Sequence, residues 1–98
     1  MALPPQPMDE FREQLRRHVR ELEESDPEPQ SKEWFFLWYL YRLRKAAFAN
    51  RSPRACSSLM RGFVRFFVGS VDEESPMAER FAEIYESHRH ALRTEHLQ

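Results

Sequence analysis

The four histidines and the single cysteine are the first side chains of this sequence to consider for metal binding or nucleophilic catalysis. His88 and His90 are two positions apart, so on a helix they point about 200° away from each other and do not share a metal ion. His18 and His96 have no partner histidine or cysteine close to them in the sequence. The sequence therefore predicts no metal site and no cofactor.

The single cysteine, Cys56, rules out a disulfide bond within the chain. It lies near the start of a predicted helix, where the helix dipole would lower the pKa of a thiol. It also lies on the apolar stripe of that helix, which favours a buried and unreactive side chain. No Ser-His-Asp arrangement, glycine-rich phosphate loop or pair of catalytic carboxylates stands out. We therefore expect a non-catalytic protein with no small-molecule substrate.

Three arginines, Arg54, Arg61 and Arg65, form a candidate anion-binding group. On one continuous α-helix they fall within about 40° of one another, on the side opposite the apolar residues. Such a row can bind RNA or DNA phosphates, a phosphorylated peptide or another anionic partner. The alternative is a solvated row that pairs with glutamates of neighbouring helices, and the acidic segments on either side favour this interpretation.

The strongest candidate binding segment contains eight consecutive apolar or aromatic residues, Trp34–Tyr41, followed by a basic stretch. On a helix, one side of this segment is an apolar stripe suited to a protein core. The opposite side combines two tryptophans with two cations, which is unusual for a surface that faces only solvent. The residues on that opposite side are Trp34, Trp38, Arg42 and Lys45.

This aromatic and basic face has two functional interpretations. It can dock a partner protein or a second copy of the chain, because tryptophan and arginine are enriched at interface hot spots. It can also stack the bases and hold the phosphates of single-stranded nucleic acid. The structural alternative places the helix at the centre of a bundle with both of its faces buried.

The charges along the chain form three blocks. Residues 1–31 carry a net charge of −4, residues 32–69 carry +7, and residues 70–98 carry −4. The simplest interpretation is internal pairing between acidic outer helices and a basic middle. A basic middle that stays unpaired would instead suit nucleic acid or another polyanion, which is the alternative function. A membrane surface is disfavoured, because the overall charge is −1 and Ala2 replaces the glycine that myristoylation requires.

Four amphipathic helices in a small all-α bundle are expected to position these side chains. Only two glycines and few β-branched residues occur, which favours helices over sheets. Serine, or serine followed by proline, marks the starts of the later helices. The predicted helices span approximately 8–24, 32–50, 53–68 and 76–92.

The predicted organisation is a single helical domain over residues 8–92, with an extended N-terminal lead-in over 1–7 and a flexible tail over 93–98. No signal peptide is recognisable, and the longest apolar run is far shorter than the roughly 18 residues of a membrane span. These features predict an intracellular protein of the cytoplasm or nucleus. Its expected function is that of a helical adaptor or regulatory protein that binds a partner protein, or itself as a homodimer.

Overall fold

The computed structural model of the protein describes residues 6–96, and within them the chain forms four α-helices, a single 3-10 turn and no β-strand. Short loops join helices that pack as neighbours, so the predicted all-α bundle is confirmed. The helices are α1 (Pro7–Glu24), α2 (Lys32–Ala49), α3 (Ser57–Ser70) and α4 (Pro76–His96), with the 3-10 turn (Pro53–Cys56) preceding α3. None of these helices combines the length and the apolar character needed to cross a membrane.

The helix starts follow the predicted capping signals more closely than the ends do. The Ser31 hydroxyl accepts a hydrogen bond from the Trp34 amide at 3.1 Å, and Ser52 caps the Arg54 amide at 3.2 Å. Asparagine tolerates the left-handed conformation that often follows the end of a helix, but Asn50 is extended, with φ −133° and ψ 148°. Extended backbone fits this position because the chain must continue directly into the 3-10 turn. The Asn50 side-chain amide donates instead to the Ala46 carbonyl at 2.8 Å.

Two of the predicted helices have different limits in the structure. The third helix does not start as an α-helix at residue 53, because its first four residues form the 3-10 turn, and it continues through Gly69 to Ser70. The fourth ends at His96, so residues 93–96 of the predicted tail are helical, whereas residues 97 and 98 lie outside the described part. Of the predicted lead-in, residues 1–5 also lie outside it, and Pro7 already belongs to α1.

The core sits between α1, α2 and the α3–α4 pair. α1 packs against α2 and α4, and α2 packs against α1 on one side and α3 on the other. The rings of Phe36 and Phe63 meet edge to face, with their centroids 4.9 Å apart. The side chains that are completely buried include Phe11, Leu15, Phe36, Leu40, Leu43, Phe63 and Ile84. This packing fixes which side of α2 faces solvent.

Candidate interaction surfaces

α2 carries apolar residues around its whole circumference, and the fold buries only one side of it. Phe36, Leu40 and Leu43 are completely inaccessible, whereas Trp38 on the other side is 40% exposed. Trp34, which lies about one turn before Trp38 on the same outer side, is half-buried. The alternative in which α2 lies at the bundle centre with both faces buried is therefore wrong.

The outer side of α2 concentrates the exposed aromatic area of the molecule. Among the described residues, five large apolar side chains are at least 36% exposed, and four of them are on this helix. We call this outer side the α2 surface. It consists of Phe35 (40% exposed), Trp38 (40%), Tyr41 (36%) and Phe48 (42%), together with the exposed cations Arg42 and Lys45.

Guanidinium groups lie against three of these aromatic rings. Arg42 stands over the Trp38 ring at 4.7 Å from its centroid, and Arg44 stands over the Tyr41 ring at 5.3 Å. From α1, Arg16 reaches the Phe48 ring at 4.5 Å. Because these cations stack on aromatic rings, positive charge is held at fixed positions across the α2 surface.

Neighbouring helices support both edges of the α2 surface. On the α3 edge, Phe35 contacts Phe66 with ring centroids 6.4 Å apart. On the α1 edge, the Tyr41 hydroxyl donates to Glu23 at 2.8 Å. Partial burial and the adjacent Glu23 carboxylate raise the pKa of Tyr41, so its hydroxyl stays protonated as a donor. Contacts with α3 and α1 thus hold the aromatic side chains at the two edges of the α2 surface in place.

The three arginines predicted to align do not form one row. That prediction assumed a continuous α-helix from residue 53, and the 3-10 turn invalidates the assumption because it advances by a different angle per residue. Arg54 lies in the turn, where its Nε is 3.9 Å from Glu95 of α4. Arg61 and Arg65 lie one turn apart on α3 and remain exposed.

Arg61 and Arg65 line a groove between α3 and α4, and Arg89 of α4 lines the same groove. We call this feature the α3–α4 groove. Arg89 could not be predicted as part of this group, because it lies in an acidic block, on a helix whose packing partner cannot be identified from the sequence. The α4 stripe through Tyr85, His88 and Leu92 runs beside Arg89, but only the fold shows that this stripe faces α3. The other residues that line the groove are Ser57, Met60, Val64, Tyr85, His88 and Leu92.

The expected pairing between acidic outer helices and the basic middle is largely wrong. Arg17 of α1 pairs with Glu83 of α4, and Arg80 of α4 pairs with Glu21 of α1 at 3.0 Å. The acidic helices thus bind each other through their own arginines. Arg54 is the one residue of the basic middle that forms an ion pair within the described part of the chain.

His18 is buried between α1 and α4 and contacts three charged side chains. Arg80 Nη1 lies 2.9 Å from the imidazole Nδ1, and Glu83 Oε2 lies 3.1 Å from Nε2. A guanidinium can only donate, so Nδ1 accepts from Arg80. Nε2 then carries the proton and donates it to Glu83, while Arg17 Nη2, which lies 3.2 Å from Nε2, pairs with the same carboxylate. Burial and the nearby Arg17 charge lower the pKa of His18, although Glu83 opposes this effect. The imidazole is therefore neutral and held as one tautomer.

The other candidate reactive residues have structural roles. Cys56 is buried, and burial raises the pKa of its thiol to about 11, which confirms the interpretation as an unreactive core residue. His88 is also buried, with Nε2 donating to the Pro53 carbonyl at 2.8 Å, and burial lowers its pKa. No group of three or more histidine, cysteine or acidic side chains suited to a metal ion occurs in residues 6–96.

Comparison of the chain with models of protein families, with curated proteins and with solved structures found no match. A functional assignment must therefore start from the two surfaces of the molecule itself. The α2 surface is aromatic with a basic margin, and the α3–α4 groove is apolar with three arginines along it.

Proposed function

We propose that this protein is a non-catalytic helical adaptor that binds a partner protein through the α2 surface. The observation that supports this function is the exposure of four aromatic side chains on the outer side of one helix. Monomeric soluble proteins rarely leave contiguous apolar area of this kind open to water, because each buried Å² contributes about 25 cal/mol of stabilisation.

The composition of the α2 surface suits a protein interface. Tryptophan, tyrosine and arginine are the residue types that contribute most to binding energy at interface centres. Trp38 and Arg42, which are stacked on each other, supply two of them at adjacent positions. We expect the partner to place apolar side chains against Trp38 and carboxylates near Arg42 and Lys45, because opposite charges steer and orient association.

Nucleic-acid binding through the basic segment 32–69 is the alternative function, and the ring contacts disfavour it on the α2 surface. Base stacking requires accessible aromatic faces. Guanidinium groups already cover one face of Trp38, Tyr41 and Phe48. A stacked base would have to displace these cations or use the other face of each ring. An apolar protein side chain can pack against the ring edges without displacing them.

Site-specific photocrosslinking tests the proposal. A benzophenone amino acid is placed at Trp38 in the full chain, and matched controls carry it at Glu86, an exposed position on α4. Irradiation of the cells that express the chain should give a defined protein adduct from position 38 and none from position 86. Adding Arg42→Glu and Lys45→Glu should abolish that adduct.

Three other outcomes would contradict this function. An adduct with RNA or DNA from position 38 would support the alternative function, and its yield would fall steeply with ionic strength as phosphate contacts are screened. Equal adducts from positions 38 and 86 would indicate non-specific contact. An adduct that contains only a second copy of this chain would identify a homodimer, which light scattering on the purified protein would then show directly.

A further inference from the structure

The α3–α4 groove shares no residue with the α2 surface and has its own chemistry. Its floor contains the apolar side chains of Met60, Val64 and Leu92, and no carboxylate among the described residues lines it. The rings of Phe67 and Phe81 stack with their centroids 4.1 Å apart, which pairs α3 with α4 next to the loop that joins them. We propose that this groove is a second docking site, and that its occupant is an acidic amphipathic helix of a partner protein.

The cations along the groove have no anionic partner among the residues that the structure describes. Arg61, Arg65 and Arg89 form neither an ion pair nor a hydrogen bond with any residue in the described part of the chain. On α1, by contrast, Arg12, Arg16 and Arg17 all contact carboxylates. Three like charges that border one groove repel one another, so an anionic ligand would relieve this repulsion while it gains charge-assisted hydrogen bonds.

The spacing of these cations fits a helical ligand. Arg61 and Arg65 are four residues apart on α3, a rise of about 6 Å along the helix axis. Carboxylates four residues apart on a docked helix have the same rise and can face both guanidinium groups at once. Arg89 approaches from α4, on the opposite margin of the groove. Apolar side chains on one face of the ligand helix would then meet the groove floor.

The floor of the groove disfavours a nucleic acid. Tyr85 and His88 are the aromatic residues along it, and both rings are at least half-buried in the fold. Met60, Val64 and Leu92 offer no flat face for a base to stack on. These side chains can pack against leucine-like side chains of a ligand helix, because apolar contact does not require a flat ring or a fixed orientation.

The test uses the full chain and a fluorescein-labelled synthetic peptide of about 18 residues, long enough to populate a helix. The peptide has leucines on one face and flanking glutamates, and a second peptide has glutamine in place of each glutamate. Fluorescence anisotropy measures affinity, and methyl NMR of Met60, Val64 and Leu92 locates the bound peptide. We expect saturable binding of the glutamate peptide with shifts of these methyl signals, and at least about tenfold weaker binding of the glutamine peptide.

Charge-reversal variants establish whether the groove is responsible. Arg61→Glu combined with Arg65→Glu should weaken binding about tenfold or more. Arg20→Glu with Arg51→Glu changes the net charge equally at exposed positions outside the groove and should leave the affinity unchanged. The double glutamine variant of Arg61 and Arg65 serves as a second test that introduces no new charge. Circular dichroism of each variant checks that the helices are intact.

Several results would overturn the proposal. Equal losses of peptide affinity in the groove variants and the control variants would mean that the net charge of the protein, rather than the groove, determines binding. Methyl shifts confined to α2 would assign the peptide to the α2 surface, and the Trp38 crosslinking result would be unaffected by that finding. Equal competition by an oligothymidylate would indicate a general polyanion site. A dimer that dissociates when Arg61 and Arg65 are reversed would make a second copy of the chain the occupant.

Discussion

At the scale of single residues, the most informative contact is that of His18 with Arg80 and Glu83. The Nδ1 atom accepts from Arg80 while Nε2 donates to Glu83. Arg17, whose Nη2 lies 3.2 Å from Nε2, pairs with the same Glu83 carboxylate. A second proton on the ring would remove the acceptor and add a positive charge beside Arg17 and Arg80. The α1–α4 contact is therefore built around an uncharged histidine.

This contact predicts a pH dependence of stability. Burial first, and then the charge of Arg17, lowers the pKa of His18 in the folded state below its ordinary value of 6.5. The unfolded chain thus binds more protons, so stability is full above about pH 6.5 and decreases as the pH falls below it. Burial lowers the pKa of His88 too, which acts in the same direction.

Urea unfolding between pH 7.5 and about 5 measures this effect, in a range above the ordinary carboxyl pKa values. His18→Gln keeps a donor and an acceptor but cannot titrate, so it should reduce the loss of stability on acidification. His90→Gln changes an exposed histidine and should retain the full dependence. Identical unfolding free energies of the wild-type chain at both ends of the range would contradict the prediction.

At the scale of elements, α2 shows how much of the fold follows from the sequence. The periodic apolar positions and serine caps predict that helices exist and nearly where they start. They identify one side of α2 as a core stripe, but they do not predict whether the opposite side is also buried, because Trp38 is itself large and aromatic. That choice depends on where α1 and α3 pack, and such contacts join residues far apart in the chain.

The need to know contacts between distant residues also explains which parts of the candidate sites could be predicted from the sequence. The Trp38–Arg42 stack was predictable because residues four apart on one helix face each other. The position of Arg89 along the same groove as Arg61 was not, since predicting it requires knowing that α4 lies beside α3. The misplacement of Arg54 has a local cause: a 3-10 turn and an α-helix share the same serine–proline start signal.

The two sides of α2 should respond differently to truncation. Phe36→Ala empties a completely buried site and should lower the free energy of unfolding by about 3–5 kcal/mol. Trp38→Ala removes a larger side chain that is 40% exposed, and we expect a loss of about 1 kcal/mol or less. Urea unfolding of both variants provides the measurement. Comparable losses would mean that α2 is packed on both sides, and the α2 surface would then not be available to a partner.

At the scale of the whole molecule, the slightly negative net charge differs in sign from the local charge of the surface that α2 and α3 present. The chain carries −1 overall, yet the ion pairs of its described residues lie within α1, between α1 and α4, and between Arg54 and α4. They leave the cations of α2 and α3 without carboxylate partners in that part of the chain. Neutralisation among the acidic helices therefore leaves positive potential on the side that carries Trp38. The local field, rather than the net charge, should decide which ions and partners approach the α2 surface.

Quenching of tryptophan fluorescence by ions of opposite sign measures this local field. Trp34 and Trp38 are the two tryptophans of the chain, and Trp38 is the more exposed, so the quenchable emission reports mainly on the α2 surface. Iodide should quench more efficiently than caesium, relative to neutral acrylamide, because Arg42 and Lys45 attract the anion. Added salt should reduce the difference, since exposed charges are screened within about 10 Å at 0.1 M ionic strength.

Arg42→Glu combined with Lys45→Glu should reverse this preference, whereas Arg61→Glu with Arg65→Glu produces the same net charge and should leave it in place. Equal quenching by iodide and caesium in the wild-type chain would mean that the overall charge of −1 governs the surface. An acidic partner would then gain no orientation from the cations around Trp38. A clear preference for iodide would instead locate positive potential beside the exposed aromatic rings, which is the arrangement that selects an acidic, apolar partner over an apolar one without charge.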